Sequence, residues 1–306
     1  MSEHLPQDSI EYFLGSMWAH KPPRKIAFQI ICSADFNNRA IAQGSFDVLM
    51  RGLIEADIGR LAYVCYGTEF KLPSGAMGPL IIDQHGKPIV LTTLDQTTIP
   101  AGNYVIIATD ATDNAYLSRL QIARALICAT FGKAGAHYVM YEAAIEFGEE
   151  QKLSFSTNAF ENPQEGFWSA FTDIADATSL VNVFVGAYAN SAAQAAVSIF
   201  SAAFEQRDLS AKHILYWSAL ETLTGAKRLA NALGAIYGCA PHQLDTLIPF
   251  SNLRDGRDGA AHHGKASNLT QKHERIIFGM FTDILAFTVQ GSKTRFAPKL
   301  AAGLSD

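Results

Sequence analysis

"AKHILYWSALETLTG" (residues 211–225) is the stretch on which the fold of this chain turns. Tyr216, Ala219, Leu220 and Leu223 recur at the three- and four-residue spacing of one helix face, and Gly225 stands where a helix stops. "KRLANALGAIYG" (227–238) repeats the scheme with Leu229, Ala232, Leu233 and Ile236 ahead of Gly238. "NLTQKHERIIFGMFTDILAFTVQG" (268–291) sets Ile277, Met280, Phe281, Ile284 and Phe287 in a third stripe, with Gly291 past the end. Three consecutive stripes of this period make residues 167–292 an all-α unit, followed by a tail at 293–306.

Working toward the N-terminus, residues 177–204 carry no charge over 28 positions. That length suffices to cross a bilayer. Asn182, Asn190, Gln194 and several serines make it too polar for an isolated span, and no Lys/Arg cluster flanks it. It reads instead as one central core helix, with a subunit interface as a further use. "STNAFENPQEG" (156–166) has the composition of a linker. Before it the pattern changes. "KIAFQIICS" (25–33), "LAYVCYG" (61–67) and "NYVIIAT" (103–109) are short runs of β-branched and aromatic residues, and "GPLIIDQHGKPIVLTTL" (78–94) reads as a hairpin. Helical spacing occupies 37–56 and 114–132, the latter with Leu117, Leu120, Ala123 and Leu126 on one face. "AHYVMYEAAIEF" (136–147) fits strand and helix alike. The class is therefore α+β: a mixed α/β domain at 1–155, then a helical bundle.

Composition narrows the function. The formal net charge of −5 excludes a uniformly basic nucleic-acid coat. The charge is uneven, however. Residues 208–306 hold 11 Lys and Arg against 8 Asp and Glu, and five of the nine histidines, so the C-terminal third is locally basic. Cys32, Cys65, Cys128 and Cys239 lie far apart among apolar neighbours, the pattern of reduced core thiols. "MSEHLPQDSIEYF" lacks the layout of a signal peptide, which makes the cytoplasm the expected location. "TFGKAGAHY" misses the phosphate-loop spacing, and no GxGxxG or GxSxG is present. "TDATDNAY" (109–116) is too short for a calcium loop and reads as the cap of the helix after it.

What remains is "LRDGRDGAAHHG" (253–264). In helical numbering Phe250, Leu253 and Arg257 fall at i, i+3 and i+7, which puts Arg257 on the inward stripe. Gly256 and Gly259 each cost about 1 kcal/mol in a helix interior relative to alanine. His262 lies about 140° round a straight helix from Arg257, so the two meet only at a bend, a helix end or a second subunit. A solvated charge cluster at a loose helix end accounts for the spacing as well. Glu221 gives a second clue. It sits on a largely apolar helix face, four residues after Trp217, and needs a cationic partner there. Arg254 and Arg257 are the candidates. If that pair were sealed from water, Glu221→Ala would cost on the order of 3–5 kcal/mol.

These residues carry a resemblance. "HILYWSALETL", the helix at 227–238 after it and "RDGAAH" (257–262) together resemble the HEPN superfamily, in its ApeA-like branch. The resemblance spans about residues 165–292 and is sharpest over 209–264; residues 1–150 match no family. It implies a helical bundle that pairs two-fold, with arginine and histidine of both subunits lining one cleft. In active members that cleft is a metal-independent endoribonuclease site, in toxin or antiviral-defence roles. Carried over, Arg257 holds the scissile phosphate, His262 serves as general base or acid, and Asp258 orients either group. Glu221 balances the arginine, while Arg254 and His263 contact substrate. The spacing favours His262 as the catalytic imidazole, and a His-Gly ending favours His263. No cofactor, no DNA and no membrane enter this expectation; RNA and a second copy of the chain do. Two rivals stand beside it. One is a catalytically silent module for dimerisation or nucleotide/RNA binding. The other is a metal-dependent hydrolase using Asp258, His262 and His263.

Overall fold

Antiparallel pairing organises the N-terminal half. The computed structural model describes residues 10–18, 21–32, 39–66, 102–131, 139–146, 152–156, 174–206, 208–225, 228–263 and 267–303. It also describes six two-residue strands between residues 70 and 99. Strands β1 (Lys25–Cys32), β2 (Arg60–Tyr66), β9 (Gly102–Asp110), β10 (Val139–Glu146) and β11 (Lys152–Ser156) form one sheet in the order β11-β10-β1-β9-β2. Every pairing is antiparallel, with Phe28 opposite Ala143 on one side and Ala108 on the other. In the centre, Ile26, Phe28, Ile30 and Ile31 are buried on alternate and adjacent positions, so β1 is covered on both faces. The ambiguous segment around 139–146 is thus a strand, because it completes pairing for β1. The remaining short strands pair in nested order along the chain. β3 (Phe70–Lys71) pairs β8 (Thr98–Ile99), β4 (Ala76–Met77) pairs β7 (Thr92–Thr93), and β5 (Ile81–Ile82) pairs β6 (Pro88–Ile89), which is the hairpin expected at 78–94.

Helix α1 (Ile10–Ser16) precedes the sheet. Helices α2 (Arg39–Glu55) and α3 (Tyr116–Phe131) pack on it, α2 against β2 and α3 against β9 and β1. Leu120, Ala123 and Leu126 are buried as their spacing requires, but Leu117 is exposed. Ile122, Ala125 and Ile127 are buried as well, because α3 lies between the sheet and the C-terminal helices and has two faces to cover. The turn before α3 is held as a cap: Asp110 and Asp113 accept from the amides of Thr112 and Ala115 at 2.8 and 2.9 Å.

Downstream, every described element is helical: α4 (Ile174–Tyr188), α5 (Ser191–Glu205), α6 (Leu209–Thr224), α7 (Leu229–Tyr237), α8 (Phe250–His263), α9 (Gln271–Gln290) and α10 (Phe296–Ala302). The uncharged stretch at 177–204 is not one central helix. It breaks between α4 and α5 with a bend of 114°. The reason is local chemistry: the Asn190 side chain caps α5 by accepting from Ala193 N at 3.1 Å, and Gln194 donates back to the Tyr188 carbonyl. No single helix among the described residues is long and apolar enough to cross a membrane. The central position belongs to α9, which is buried at every residue from 276 to 286. Phe200 of α5 stacks on Phe281 of α9 at 4.1 Å between ring centroids and meets Tyr216 of α6 at 4.8 Å, which ties three helices at one point.

The three glycine stops close their helices as the sequence indicates, Gly225, Gly238 and Gly291 all at positive φ (80, 71 and 65°). Beyond Gly291, residues 296–302 form α10, docked on α9 through buried Phe296 and Ala297. The linker at 156–166 lies outside the described residues apart from Ser156.

Candidate functional site

Helix α8 is started from outside itself. Asp245, in the 3-10 turn Pro241–Thr246, accepts from Ser251 N at 2.8 Å and Ser251 Oγ at 2.5 Å. These hydrogen bonds hold its carboxyl below the usual range. Phe250 and Leu253 then turn inward, and Phe250 packs on Trp217 of α6 with ring centroids 5.7 Å apart. Arg257 follows in the same register and faces α6, as the i, i+3, i+7 spacing requires.

On α6 the facing stripe is His213, Trp217 and Glu221, one residue every fourth position. Arg257 Nη2 donates to Glu221 Oε2 at 3.0 Å, and Nη1 donates to Asp258 Oδ1 at 2.8 Å. The Arg257 side chain is 19% exposed, with that of Glu221 at 25% and that of Asp258 at 42%. Its Nε is buried and has no hydrogen-bond partner among the described residues. The cation expected by Glu221 is therefore Arg257. Arg254 is half exposed and paired only with its neighbour Asp255, at 3.0 Å.

The two terminal imidazoles are placed differently. Helix α8 runs unbroken to His263, so neither Gly256 nor Gly259 ends it. His262 consequently stays about 140° round the axis from Arg257. Both His262 and His263 are exposed, and neither has a hydrogen bond or ion pair among the described residues. Within one chain the structure gathers Arg257, Asp258 and Glu221, and leaves Arg254, His262 and His263 outside that group. No group of three or more His, Cys, Asp or Glu among the described residues is arranged to hold a metal, so the set needed by the hydrolase rival is not assembled.

The glycine at 256 has a packing explanation in place of a catalytic one. A methyl group there would sit 2.7 Å from Asn268 Oδ1 and 3.3 Å from His213 Cε1. A side chain at 256 would therefore oblige Asn268 and the His213 ring to shift, which glycine avoids.

His213 is the residue that sequence reasoning missed. It is 1% exposed, and its Nδ1 lies 2.9 Å from Ser267 Oγ. Burial, helped by the charges of His273 and Arg257, pushes its pKa down to about 4, so the ring is neutral at physiological pH. The signal was available: His213 stands four residues before Trp217 and eight before Glu221, on the stripe already singled out for the carboxylate. Comparison of the chain with protein-family models, curated proteins and solved structures finds no match in any of the three.

Proposed function

We propose that the α6–α8 seam is the phosphate-handling part of a HEPN-type, metal-independent endoribonuclease assembled from two copies of the chain. The observation that carries this reading is the held guanidinium. Arg257 is oriented by Glu221 and Asp258, and its side chain stays partly exposed, which suits a group that must meet charge developing on a phosphate. Imidazole is the side chain that exchanges its proton closest to neutrality, which suits the exposed histidines at the end of α8 to proton transfer. The angle of about 140° between Arg257 and His262 makes the second copy necessary, since one straight helix cannot present both groups to one phosphodiester. Attack by the ribose 2′-OH then needs a base and a phosphate clamp but no metal.

A second reading has its own support. Two carboxylates already neutralise Arg257, which favours a silent HEPN-like module for dimerisation or RNA binding. One experiment separates the two. Purified protein is incubated with total RNA, with and without EDTA, beside Arg257→Ala, His262→Ala and His263→Ala. Cleavage that survives EDTA, spares DNA and leaves 2′,3′-cyclic phosphate ends supports the nuclease. His262→Ala is expected to slow it by roughly 10²–10⁴-fold, and Arg257→Ala by at least as much. A folded dimer by light scattering that cuts no RNA favours the silent module. A monomer at micromolar concentration removes the composite site.

A further inference from the structure

We infer that His213 is a positioning residue: wedged between Ser267 and Gly256, it sets the spacing of α8 from α6 at which Arg257 reaches Glu221. Three observations support that role. The ring is anchored on one side, with Nδ1 2.9 Å from Ser267 Oγ, and Ser267 is itself fixed by its amide donating to Ser210 Oγ at 3.0 Å. On the other side its Cε1 edge abuts Gly256, the residue immediately before Arg257, closely enough that an added methyl would come within 3.3 Å. Finally, the same α6 stripe ends at Glu221, so the wedge and the ion pair lie at two points along one helix–helix seam. The ring also lies edge-on to Trp217, with 6.4 Å between centroids.

Neutrality suits the role. A protonated imidazole here would set a second cation near Arg257, and burial together with Arg257 and His273 acts against its protonation. The wedge is therefore a shape and hydrogen-bond device, and its loss is felt by Arg257 through α8 rather than by direct contact.

The test reads the ion pair itself and does not depend on any RNA being cut. A double-mutant cycle on Glu221 and Arg257, followed by chemical denaturation, measures their coupling. We expect about tenfold in the unfolding equilibrium constant in the native background. In His213→Ala the coupling should fall below about twofold, and His213→Asn, which keeps an atom at the place of Nδ1 for Ser267, should restore part of it. If His213→Ala does not fold, Gly256→Ala disturbs the same contact from α8 while leaving the Ser267 anchor intact, and should lower the coupling likewise. Coupling unchanged in a destabilised His213→Ala, or in Gly256→Ala, would overturn the inference and make His213 a core residue only. For activity the role rests on the proposed nuclease: His213→Ala should lower kcat and add nothing further once Arg257→Ala is present. A wild type that cuts no RNA removes that reading and leaves the coupling result standing.

Discussion

Asp283 on α9 is fully buried and accepts four hydrogen bonds, whereas Arg257 on α8 keeps a fifth of its side chain in solvent and one nitrogen without a partner. Tyr237 Oη donates to Asp283 at 2.8 Å, Thr294 Oγ1 at 2.6 Å, and the amides of Phe296 and Ala297 at 2.8 and 3.0 Å. That carboxylate caps α10 from a neighbouring helix, since Arg295 supplies no side-chain cap. Its capacity is used up, and nothing can be added to it. Arg257 is held by two carboxylates as well, but its side chain and both partners keep contact with solvent. A saturated, sealed charge fixes structure. An oriented charge that keeps some contact with solvent is what the proposed phosphate contact requires.

The sharpest way to break the comparison is to remove the sealed charge. Asp283→Ala strands two buried amides and two hydroxyls, and should cost on the order of 3–5 kcal/mol, read by chemical denaturation. A loss under about 1 kcal/mol would mean that water replaces the carboxylate and that α10 is docked by Phe296 and Leu300 alone. Glu221→Ala should cost less, about 1–2 kcal/mol. The larger figure expected from sequence assumed a sealed pair, while the seam admits water and Asp258 remains on Arg257. Equal costs at the two sites would erase the distinction between them.

The helices and the main ion pair were legible because periodicity reports burial directly. Glu221 and Arg257 both stand on apolar stripes, and a charge on an apolar stripe advertises a partner. Other features depend on competition that periodicity does not record. The break at Asn190 is a capping signal, but an uncharged run of 28 residues outweighs it in any hydropathy reading. Leu117 falls on the right spacing, yet α3 is sandwiched, and both of its faces take side chains that a one-sided stripe does not assign. His213 and Asp283 are polar residues inside apolar helices, as Glu221 is. Their partners, Ser267 and the amides of 296–297, lie in loops and at a helix start, where no period exists to point at them.

The two sites also answer pH with opposite sign. The His213 pKa is lowered to about 4 from 6.5, so the unfolded chain binds its proton more readily than the native one. Its contribution to stability is complete above about pH 6.5 and is lost as pH falls toward 4, with a slope of at most about 1.4 kcal/mol per pH unit. Burial pushes the Asp283 pKa up against its four donors, so its effect runs the other way: stability falls as pH rises from the usual carboxylate range toward its folded value. Denaturation midpoints from about pH 7 to 4 should therefore fall less steeply in His213→Gln than in wild type. Asp283→Asn should change the slope in the opposite sense at the acid end. A His213→Gln profile parallel to wild type would show that the ring titrates normally and that the seam is wetter than its burial implies.

The smallest effect is expected at Arg254, and it tests whether α8 beyond the seam meets RNA. Arg254 precedes Arg257 by nearly one helical turn, is half exposed, and among the described residues forms its ion pair with Asp255, its own neighbour. An exposed pair of this kind contributes little, so Arg254→Ala should leave stability within about 0.5 kcal/mol of wild type. Its value lies in RNA affinity. If α8 lies along a single-stranded backbone, losing one phosphate contact should reduce the slope of log affinity against log salt by about 0.7, uniformly across RNA sequences. Arg257→Ala should do the same and also abolish cleavage, because that guanidinium is oriented while Arg254 is not. A salt slope unchanged in Arg254→Ala would take Arg254 out of the interface and confine phosphate contact to the seam. Slopes unchanged in both variants would take α8 off the RNA altogether, leaving Glu221 and Arg257 as a packing pair.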